Sequence, residues 1–218
     1  WKTYEAEVTF GVQTDTEDIW GNVLKTHDVS KTPEEIIQAI CSFGGTYDQI
    51  PPMYSAKKID GKKLYQLARE GKIVERKAVP VTLKDIQVLS VKDNKARFIV
   101  TCSAGTYIRT LCVDIGKKLG CEACMSSLTR VMAGGFSKEQ ALTLEKIKEL
   151  ADKNELESRL ISIDTALGHF PKVIASNEFE KQLKNGNAIG SNAVLGLQEA
   201  SIDVCSHDIC VRLYLNNN

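Results

Sequence analysis

The sequence has no excess of charge of either sign: 28 lysines and arginines balance 28 aspartates and glutamates. A net charge of zero removes the overall positive field of many nucleic-acid-binding proteins, although a basic face balanced by an acidic one still permits RNA binding. No apolar run approaches the roughly 18 residues of a transmembrane helix, and the N-terminus lacks the charged-then-apolar pattern of a signal peptide. These absences predict a cytoplasmic protein.

Several chemical signatures are also missing. The sequence contains neither a P-loop nor a dinucleotide-binding GxGxxG motif, so ATP and NAD are not expected. Seven cysteines are an odd number that cannot all pair, which favours a reducing compartment. The one CxxC motif, Cys121 to Cys124, has no matching second pair, because Cys205 and Cys210 have the wrong spacing for zinc. We therefore expect buried thiols rather than a metal site.

The hydrophobic patterns that are present indicate an α+β chain. Strands and helices follow one another without strict alternation, which favours a mainly antiparallel sheet over a doubly wound parallel one. Thr32-Pro33-Glu34-Glu35 is a strong helix start, with a hydroxyl cap, proline at the first position and acids in the first turn. In chain order we predict strands at 3–12 and 23–27, helices from 33 and at 62–70, strands at 82–91 and 96–102, a helix from about 108, a glycine-containing stretch through 134–135, a helix at 143–153, and strands at 200–205 and 209–215.

The stretch "CSAGTYIRTLCVDIG", residues 102–116, places a cation where helices rarely carry one. Gly105 breaks the strand, and an apolar stripe then begins at Ile108, so Arg109 lies in the first helical turn. The free N–H groups and the macrodipole already make a helix N-terminus positive, so an arginine there needs a negative partner. That partner is either a structural carboxylate, with Tyr107 as a half-buried anchor, or a functional group in a pocket.

Two other clusters are candidate binding sites. Basic side chains alternate with aromatic ones in "PPMYSAKKIDGKKLY", where Lys58 and its neighbours flank Tyr54 and Tyr65; this pattern suits an RNA backbone with unstacked bases, although lysine-rich faces are usually only solvated. Asp15, Glu17 and Asp18 are close enough to bind a metal, although turn capping by such residues is more common.

Four stretches in this order together resemble one family, the TruB-type tRNA pseudouridine synthases. They are "KTYEAEVTFGVQTDTEDIWG", "QIPPMYSAKKIDGKKLYQLAREG", "CSAGTYIRTLCVDIGKKLG" and "LTRVMAGGF", across residues 2–136. The resemblance implies a pseudouridine synthase fold at residues 1–168, with a mixed, mainly antiparallel sheet flanked by helices. The tail, residues 169–218, resembles the small β-rich PUA-type RNA-binding module found in many of these enzymes.

The resemblance also implies an activity. Uridine 55 in the T-loop of tRNA would be flipped out of the RNA stack and isomerised to pseudouridine, with no cofactor and no metal. Separately, nothing in the sequence demands more than a monomer. Tyr4 matches the aromatic residue that stacks on the flipped uracil and acts as a base. Tyr107 and Arg109 match pocket residues beside a nucleophilic aspartate, and Arg109 would form an ion pair with the carboxylate of that aspartate. The implied substrate-binding residues are Leu128, as an apolar wall, together with Lys58 and Tyr54.

The family's nucleophilic aspartate belongs to a "GTLDP"-like loop before the "KTY" strand, and the printed sequence holds no such loop. Asp15 and Asp18 match other family positions and are not expected to replace it. We therefore expect that Trp1 marks a truncation and that the chain as printed is inactive. The alternative is a non-catalytic tRNA-binding or tRNA-folding protein on the same scaffold. An enzyme with a cysteine nucleophile is disfavoured because no histidine accompanies a cysteine in a motif-like setting.

Overall fold

The structure is a computed structural model that describes residues 1–59, 61–195 and 210–216, and the chain divides into two compact units, residues 1–141 and 142–218. Within the described ranges, no helix has the length and apolar character needed to cross a membrane. Each unit is described separately below.

Within its described residues, the first unit combines ten strands and three α-helices with one short 3-10 helix at Lys138–Gln140. In chain order they are β1 Lys2–Phe10, β2 Val12–Thr14, β3 Val23–Thr26, α1 Pro33–Cys41, β4 Gly45–Gln49, β5 Lys58–Ile59, β6 Lys62–Lys63, α2 Leu64–Arg69, β7 Val79–Lys92, β8 Lys95–Cys102, α3 Ile108–Leu119, β9 Ala123–Ala133 and β10 Phe136–Ser137.

Six of these strands form one sheet in the order β10-β9-β1-β8-β7-β4, and every neighbouring pair runs antiparallel. The α+β, mainly antiparallel fold predicted from the sequence is therefore confirmed. One face of the sheet is apolar and packs against α1 and α3, because alternate strand residues point to the same side. The fully buried side chains of this core include Val8, Phe10, Ile36, Ile40, Phe98, Val100, Leu111 and Ile115.

Local signals account for the start of α1 and the end of α3. Helix α1 begins with the predicted Thr32 cap, and the structure adds a full capping box: the Thr32 hydroxyl accepts a hydrogen bond from the Glu35 amide, and the Glu35 carboxylate accepts one from the Thr32 amide. Helix α3 ends at Leu119, and the following Gly120 adopts the left-handed φ of 71° expected of a glycine at the end of a helix.

Some predicted boundaries were wrong, and some strands were not predicted. The first strand ends at Phe10, because Gly11 has a φ of 83° and the chain turns there into β2. The second helix begins at Leu64 and not at Lys62, because Lys62 and Lys63 pair with β5 in a short hairpin. The stretch before Gly134 is the long strand β9. Two register shifts interrupt its pairing with β1, so a regular alternation of apolar and polar residues is not needed along it and its sequence shows none.

The second unit is smaller and less regular. Its elements are α4 Leu144–Asp152, α5 Ile163–Ala166, β11 Lys172–Ala175, α6 Glu180–Lys184, β12 Val194–Leu195 and β13 Arg212–Leu215, with 3-10 helices at Leu156–Arg159, Asn177–Phe179 and Ser191–Ala193. The Thr143 cap of α4 is confirmed. Strands β12-β11-β13 form a three-stranded sheet. The strand predicted at 200–205 lies outside the described residues, and the PUA-like module at 169–218 stays a prediction.

Candidate active site

A cavity of about 180 Å³ opens in the first unit where β1, β9 and the start of α3 meet. It is lined by Tyr4, Thr106, Tyr107, Ile108, Arg109, Leu128 and Arg130. Larger cavities exist in this unit, but this one gathers four of the residues singled out from the sequence: Tyr4, Tyr107, Arg109 and Leu128. Its volume lies below the roughly 300–1,000 Å³ of pockets that hold whole small molecules, so it suits a single planar ring.

Strand register brings three of the lining residues together. Tyr4 on β1 lies opposite Arg130 on β9, and Ala6 lies opposite Leu128. Because residues two apart on a strand share a face, Leu128 and Arg130 lie on the same side of the sheet as Tyr4. The guanidinium carbon of Arg130 lies 5.5 Å from the centre of the Tyr4 ring, in the range of a cation–π contact. The pocket therefore combines an aromatic ring and an apolar wall with a cation.

The entry to α3 supplies the opposite wall, and a buried glutamine fixes it. Gln49, the last residue of β4, is fully buried. Its side-chain oxygen accepts a hydrogen bond from the Tyr107 amide at 2.8 Å, and its nitrogen donates to the Tyr107 carbonyl at 3.1 Å and to the Tyr47 hydroxyl at 2.5 Å. Tyr107 is the N-cap residue of α3 and has no side-chain cap bond of its own. Gln49 therefore sets the position from which Tyr107 and Arg109 enter the pocket.

Arg109 has its negative partner within the chain. Its Nη1 lies 3.1 Å from Oδ2 of Asp18 and donates at 2.9 Å to the Thr16 carbonyl, while Nη2 donates at 2.8 Å to the Tyr54 carbonyl. Both side chains are about one-fifth exposed, 23% for Arg109 and 20% for Asp18. A rigid guanidinium fork suits three acceptors held in fixed places, which a lysine ammonium does not.

A second acid of the same loop also meets the first turn of α3. The Thr110 hydroxyl donates at 2.6 Å to Oε2 of Glu17. Burial raises the pKa of Glu17 above its ordinary value of 4.5, and the Thr110 hydrogen bond and the nearby Arg109 charge oppose that shift. Two neighbouring acids thus tie the loop at residues 15–18 to the N-terminus of α3.

The remaining predicted site residues lie outside the cavity wall. Tyr54 reaches Arg109 through its backbone carbonyl. Lys58 is exposed on the β5–β6 hairpin and does not line the pocket. Their assignment to substrate binding stays a prediction, as do the roles assigned to the four residues in the pocket.

The acids considered for metal binding are engaged in turn contacts. Asp15 accepts hydrogen bonds from the backbone and side-chain amides of Asn22. Asp18 accepts from the Thr16 hydroxyl and the Trp20 amide through Oδ1. Across the residues that the structure describes, no group of three or more histidine, cysteine or acidic side chains is arranged to hold a metal ion.

Sequence reasoning overlooked Gln49, Arg130 and the contact of Asp18 with Arg109. A strand assignment for residues 123–133 would have placed Arg130 beside Leu128 on one face. The other two contacts join residues 58 and 91 positions apart, and no local pattern encodes such pairs.

Family models match most of the chain. The N-terminal domain of TruB family pseudouridylate synthase matches residues 1–108, and the C-terminal domain of tRNA pseudouridylate synthase B matches residues 109–168.

The names of curated relatives agree with these family models. Proteins named tRNA pseudouridine synthase B from Alkaliphilus oremlandii and Clostridium novyi are 44% identical over 212 and 194 residues, which cover 97% and 89% of this chain and 69% and 66% of theirs. The Bacillus licheniformis protein of that name is 45% identical over 192 residues, 85% of this chain and 62% of its own. The chain thus spans about two thirds of these relatives' length.

Solved structures share the fold at lower identity. A chain of a Cbf5-Nop10-Gar1 complex has a TM-score of 0.65 at 24% identity, covering 88% of this chain and 51% of its own. A chain of an H/ACA RNP bound to a substrate RNA containing 2'-deoxyuridine has a TM-score of 0.62 at 21% identity, with coverages of 88% and 50%. These likenesses concern the fold, whereas the sequence identity to the curated relatives establishes kinship. The chain belongs to the TruB family of pseudouridylate synthases.

Proposed function

We propose that this protein acts in tRNA pseudouridine synthesis and that its target is uridine 55 in the T-loop. The observation that carries the proposal is the convergence of Tyr4, Tyr107, Arg109 and Leu128 on one small cavity. The names of the curated relatives support tRNA as the substrate. All lining residues come from the first unit, so we further propose that a monomer suffices.

The proposed reaction is an isomerisation with no net loss or gain of atoms. The bond between uracil N1 and ribose C1′ breaks, the freed base turns, and a bond forms between C5 and C1′, while C5 loses a proton and N1 gains one. The base must first leave the RNA stack, which costs a few kcal/mol. Stacking on the Tyr4 ring and contact with the Leu128 side chain offset part of that cost, and the Tyr4 hydroxyl is the proposed base at C5.

Arg109 is the residue proposed to hold the nucleophilic carboxylate. A guanidinium carries five N–H donors, and the bonds to Thr16, Asp18 and Tyr54 use three of them. The other two suffice for a bidentate contact with a second carboxylate. Asp18 then serves to orient Arg109 and is not itself the nucleophile. Since the printed sequence has no "GTLDP"-like loop, we propose that these 218 residues alone do not turn over.

A second cavity supports an extended RNA path. It has a volume of about 400 Å³, shares Tyr107 with the first cavity, and includes Pro51, Lys57 and Gly105 in its wall. An apolar surface with one cation suits nucleotides that flank the target. The buried thiols of Cys102, Cys112, Cys121 and Cys124, all unpaired, support a reducing cytoplasm as the place of action.

The test uses protein expressed from the complete gene and a tRNA transcript labelled with tritium at C5 of uridine. Formation of the new bond at C5 releases the label, and we expect one tritium per tRNA. A transcript with cytidine at position 55 is the matched control and should release none. Release from that control, or none from either transcript, contradicts the proposal.

The alternative, a non-catalytic tRNA-binding protein, is favoured by one observation: Asp18 already satisfies the charge of Arg109. RNA binding without tritium release from the complete protein would support this alternative.

A further inference from the structure

Trp20 is almost fully exposed on a loop whose backbone is firmly held. Its side chain is 92% accessible to solvent. The Trp20 amide donates to Oδ1 of Asp18 at 3.1 Å, and the Gly21 amide donates to the Asp18 carbonyl at 3.1 Å. Asp15 in turn binds both amide groups of Asn22. The indole is thus presented by a fixed turn, which keeps a large apolar ring in water.

The same loop is attached to the strand that forms one wall of the candidate active site. The Ile19 amide donates to the Met125 carbonyl at 2.8 Å, and the Met125 amide donates to the Glu17 carbonyl at 3.0 Å. Met125 lies on β9, the strand that continues to Leu128 of the pocket. These bonds fix the loop against the sheet beside the pocket.

A single carboxylate connects Trp20 with the pocket arginine. Oδ1 of Asp18 accepts from the Trp20 amide, and Oδ2 of Asp18 lies 3.1 Å from Nη1 of Arg109. The Asp18 side chain therefore links the Trp20 backbone to Arg109, which lines the cavity. Two other apolar side chains, on the nearby strand β3, are also exposed, Val23 at 59% and Leu24 at 62%.

We propose that Trp20 stacks on an unpaired base of the tRNA that flanks the target uridine, an inference that rests on the proposed function. An exposed indole offers a flat π-face that binds any nucleobase, and aromatic stacking is the common way in which proteins hold unstacked RNA bases. A backbone held in place before binding leaves only the side-chain torsions of Trp20 to be ordered on contact. Flipping one nucleotide exposes its neighbours, and Asp18 links the Trp20 amide to Arg109 of the pocket.

The sequence makes the test direct, because Trp1 and Trp20 are its two tryptophans. In protein from the complete gene, the contribution of Trp20 is the difference in tryptophan fluorescence between the parent and a Trp20→Phe variant. Titration with an unmodified T-arm hairpin RNA should quench that fluorescence in a saturable way, with a midpoint equal to the Kd from an independent filter-binding assay. The same titration of the Trp20→Phe variant, which keeps every other fluorophore, sets the background.

The affinity arm compares three proteins on the same hairpin. Trp20→Ala should weaken binding roughly tenfold or more, as expected for loss of one stacked base, whereas Trp20→Phe should stay within about threefold of the parent. The slope of log Kd against log salt should not change, because no phosphate contact is lost. Leu24→Ala, a change of another exposed apolar residue nearby, is the matched control and should bind within about twofold.

The outcomes separate this inference from the function beneath it. Binding of the RNA by the parent with no quenching of Trp20 and no loss in Trp20→Ala overturns the inference and leaves the proposed function intact. Failure of the parent to bind RNA overturns both. Loss of self-association or of protein binding in Trp20→Ala, at unchanged RNA affinity, also overturns it, since the occupant of this surface would then be a protein.

Discussion

Asp18 and Arg109 form an ion pair of 3.1 Å between residues 91 positions apart in the sequence. Arg109 lies in the first turn of α3, where the helix dipole disfavours a cation, and the Asp18 carboxylate offsets that cost. The negative partner that the sequence required is therefore present within the chain. Because Asp18 is held by the Thr16 hydroxyl and the Trp20 amide, it fixes the guanidinium in one orientation toward the cavity.

Replacing Arg109 should affect turnover much more than RNA binding. In protein from the complete gene, Arg109→Ala should lower kcat by about 100-fold or more, because its proposed partner is the reacting carboxylate and not an RNA phosphate. The Kd for tRNA should change by less than about threefold. Arg109→Lys should not restore kcat, because an ammonium cannot serve the three acceptors. Single-turnover tritium release and filter binding measure the two quantities, and equal turnover by mutant and parent would show the assignment to be wrong.

Asp18 should act through Arg109 and not on the substrate. Asp18→Asn retains an acceptor for the Trp20 amide but loses the charge, so kcat should fall while the Kd for tRNA stays near that of the parent. Asp18→Ala should in addition lower the free energy of unfolding by about 1–3 kcal/mol, because acceptors for three donors disappear. Urea denaturation measures the stability difference. A double variant Asp18→Asn with Arg109→Ala should be no slower than Arg109→Ala alone; additive losses would argue against action through Arg109.

Glu17 should make the protein less stable as the pH rises. Its folded-state pKa is raised above 4.5 by burial, so the unfolded chain loses its proton first, and stability falls between pH 4.5 and the folded-state pKa. Above that window the loss is complete. Glu17→Gln keeps an acceptor for Thr110 and removes the ionisation, so its stability relative to the parent should improve from pH 4 to pH 7. Urea denaturation at the two pH values measures this change.

Glu7 provides a control of opposite sign in the same unit. Its pKa is lowered, chiefly by the hydrogen bond from the Ser126 hydroxyl at 2.7 Å and further by Lys95. Glu7→Gln should therefore lose stability relative to the parent from pH 4 to pH 7. If both glutamine variants shift in the same direction, the explanation for Glu17 is wrong.

Tyr4 combines two proposed roles that one substitution separates. Tyr4→Phe keeps the ring beside Leu128 and Arg130 but removes the hydroxyl, so RNA affinity should stay within about twofold while turnover falls by about 100-fold, the usual contribution of a general base. Tyr4→Leu should lower affinity as well, because stacking is lost. Turnover by Tyr4→Phe at the parent's rate would remove the hydroxyl from the mechanism.

Elements with a local signal were predicted from the sequence, and those that depend on distant contacts were not. The cap at Thr32 fixed the start of α1, and the glycine at 120 agrees with the end of α3, because both act within one turn of their helix. Strand β9 was not predicted because bulges interrupt the alternation of its apolar and polar residues. The four residues that line the pocket were singled out through their motifs, without knowledge that the fold brings them to one cavity.

The contacts of the site that were not predicted join residues far apart in the sequence. The local sequence shows Gln49 only as a polar residue, yet the structure buries its side chain completely at the end of β4. A buried polar side chain is tolerated where each of its groups has a partner, and two of the three bonds of Gln49 go to the backbone of Tyr107 at the start of α3, 58 residues away. Neither periodicity nor a capping pattern contains that information.

Gln49 should therefore control both stability and the geometry of the pocket. Gln49→Leu fills the space but leaves the Tyr107 amide without its 2.8 Å partner, which should lower the free energy of unfolding by about 1–3 kcal/mol. Turnover should fall more than RNA affinity, since Tyr107 and Arg109 lose the anchor that places them. Gln13→Leu, a change at an exposed glutamine of β2, is the matched control and should leave both quantities unchanged. Urea denaturation and single-turnover assays measure the two effects. A Gln49→Leu protein as stable and as fast as the parent would mean that α3 enters the pocket correctly without this clamp.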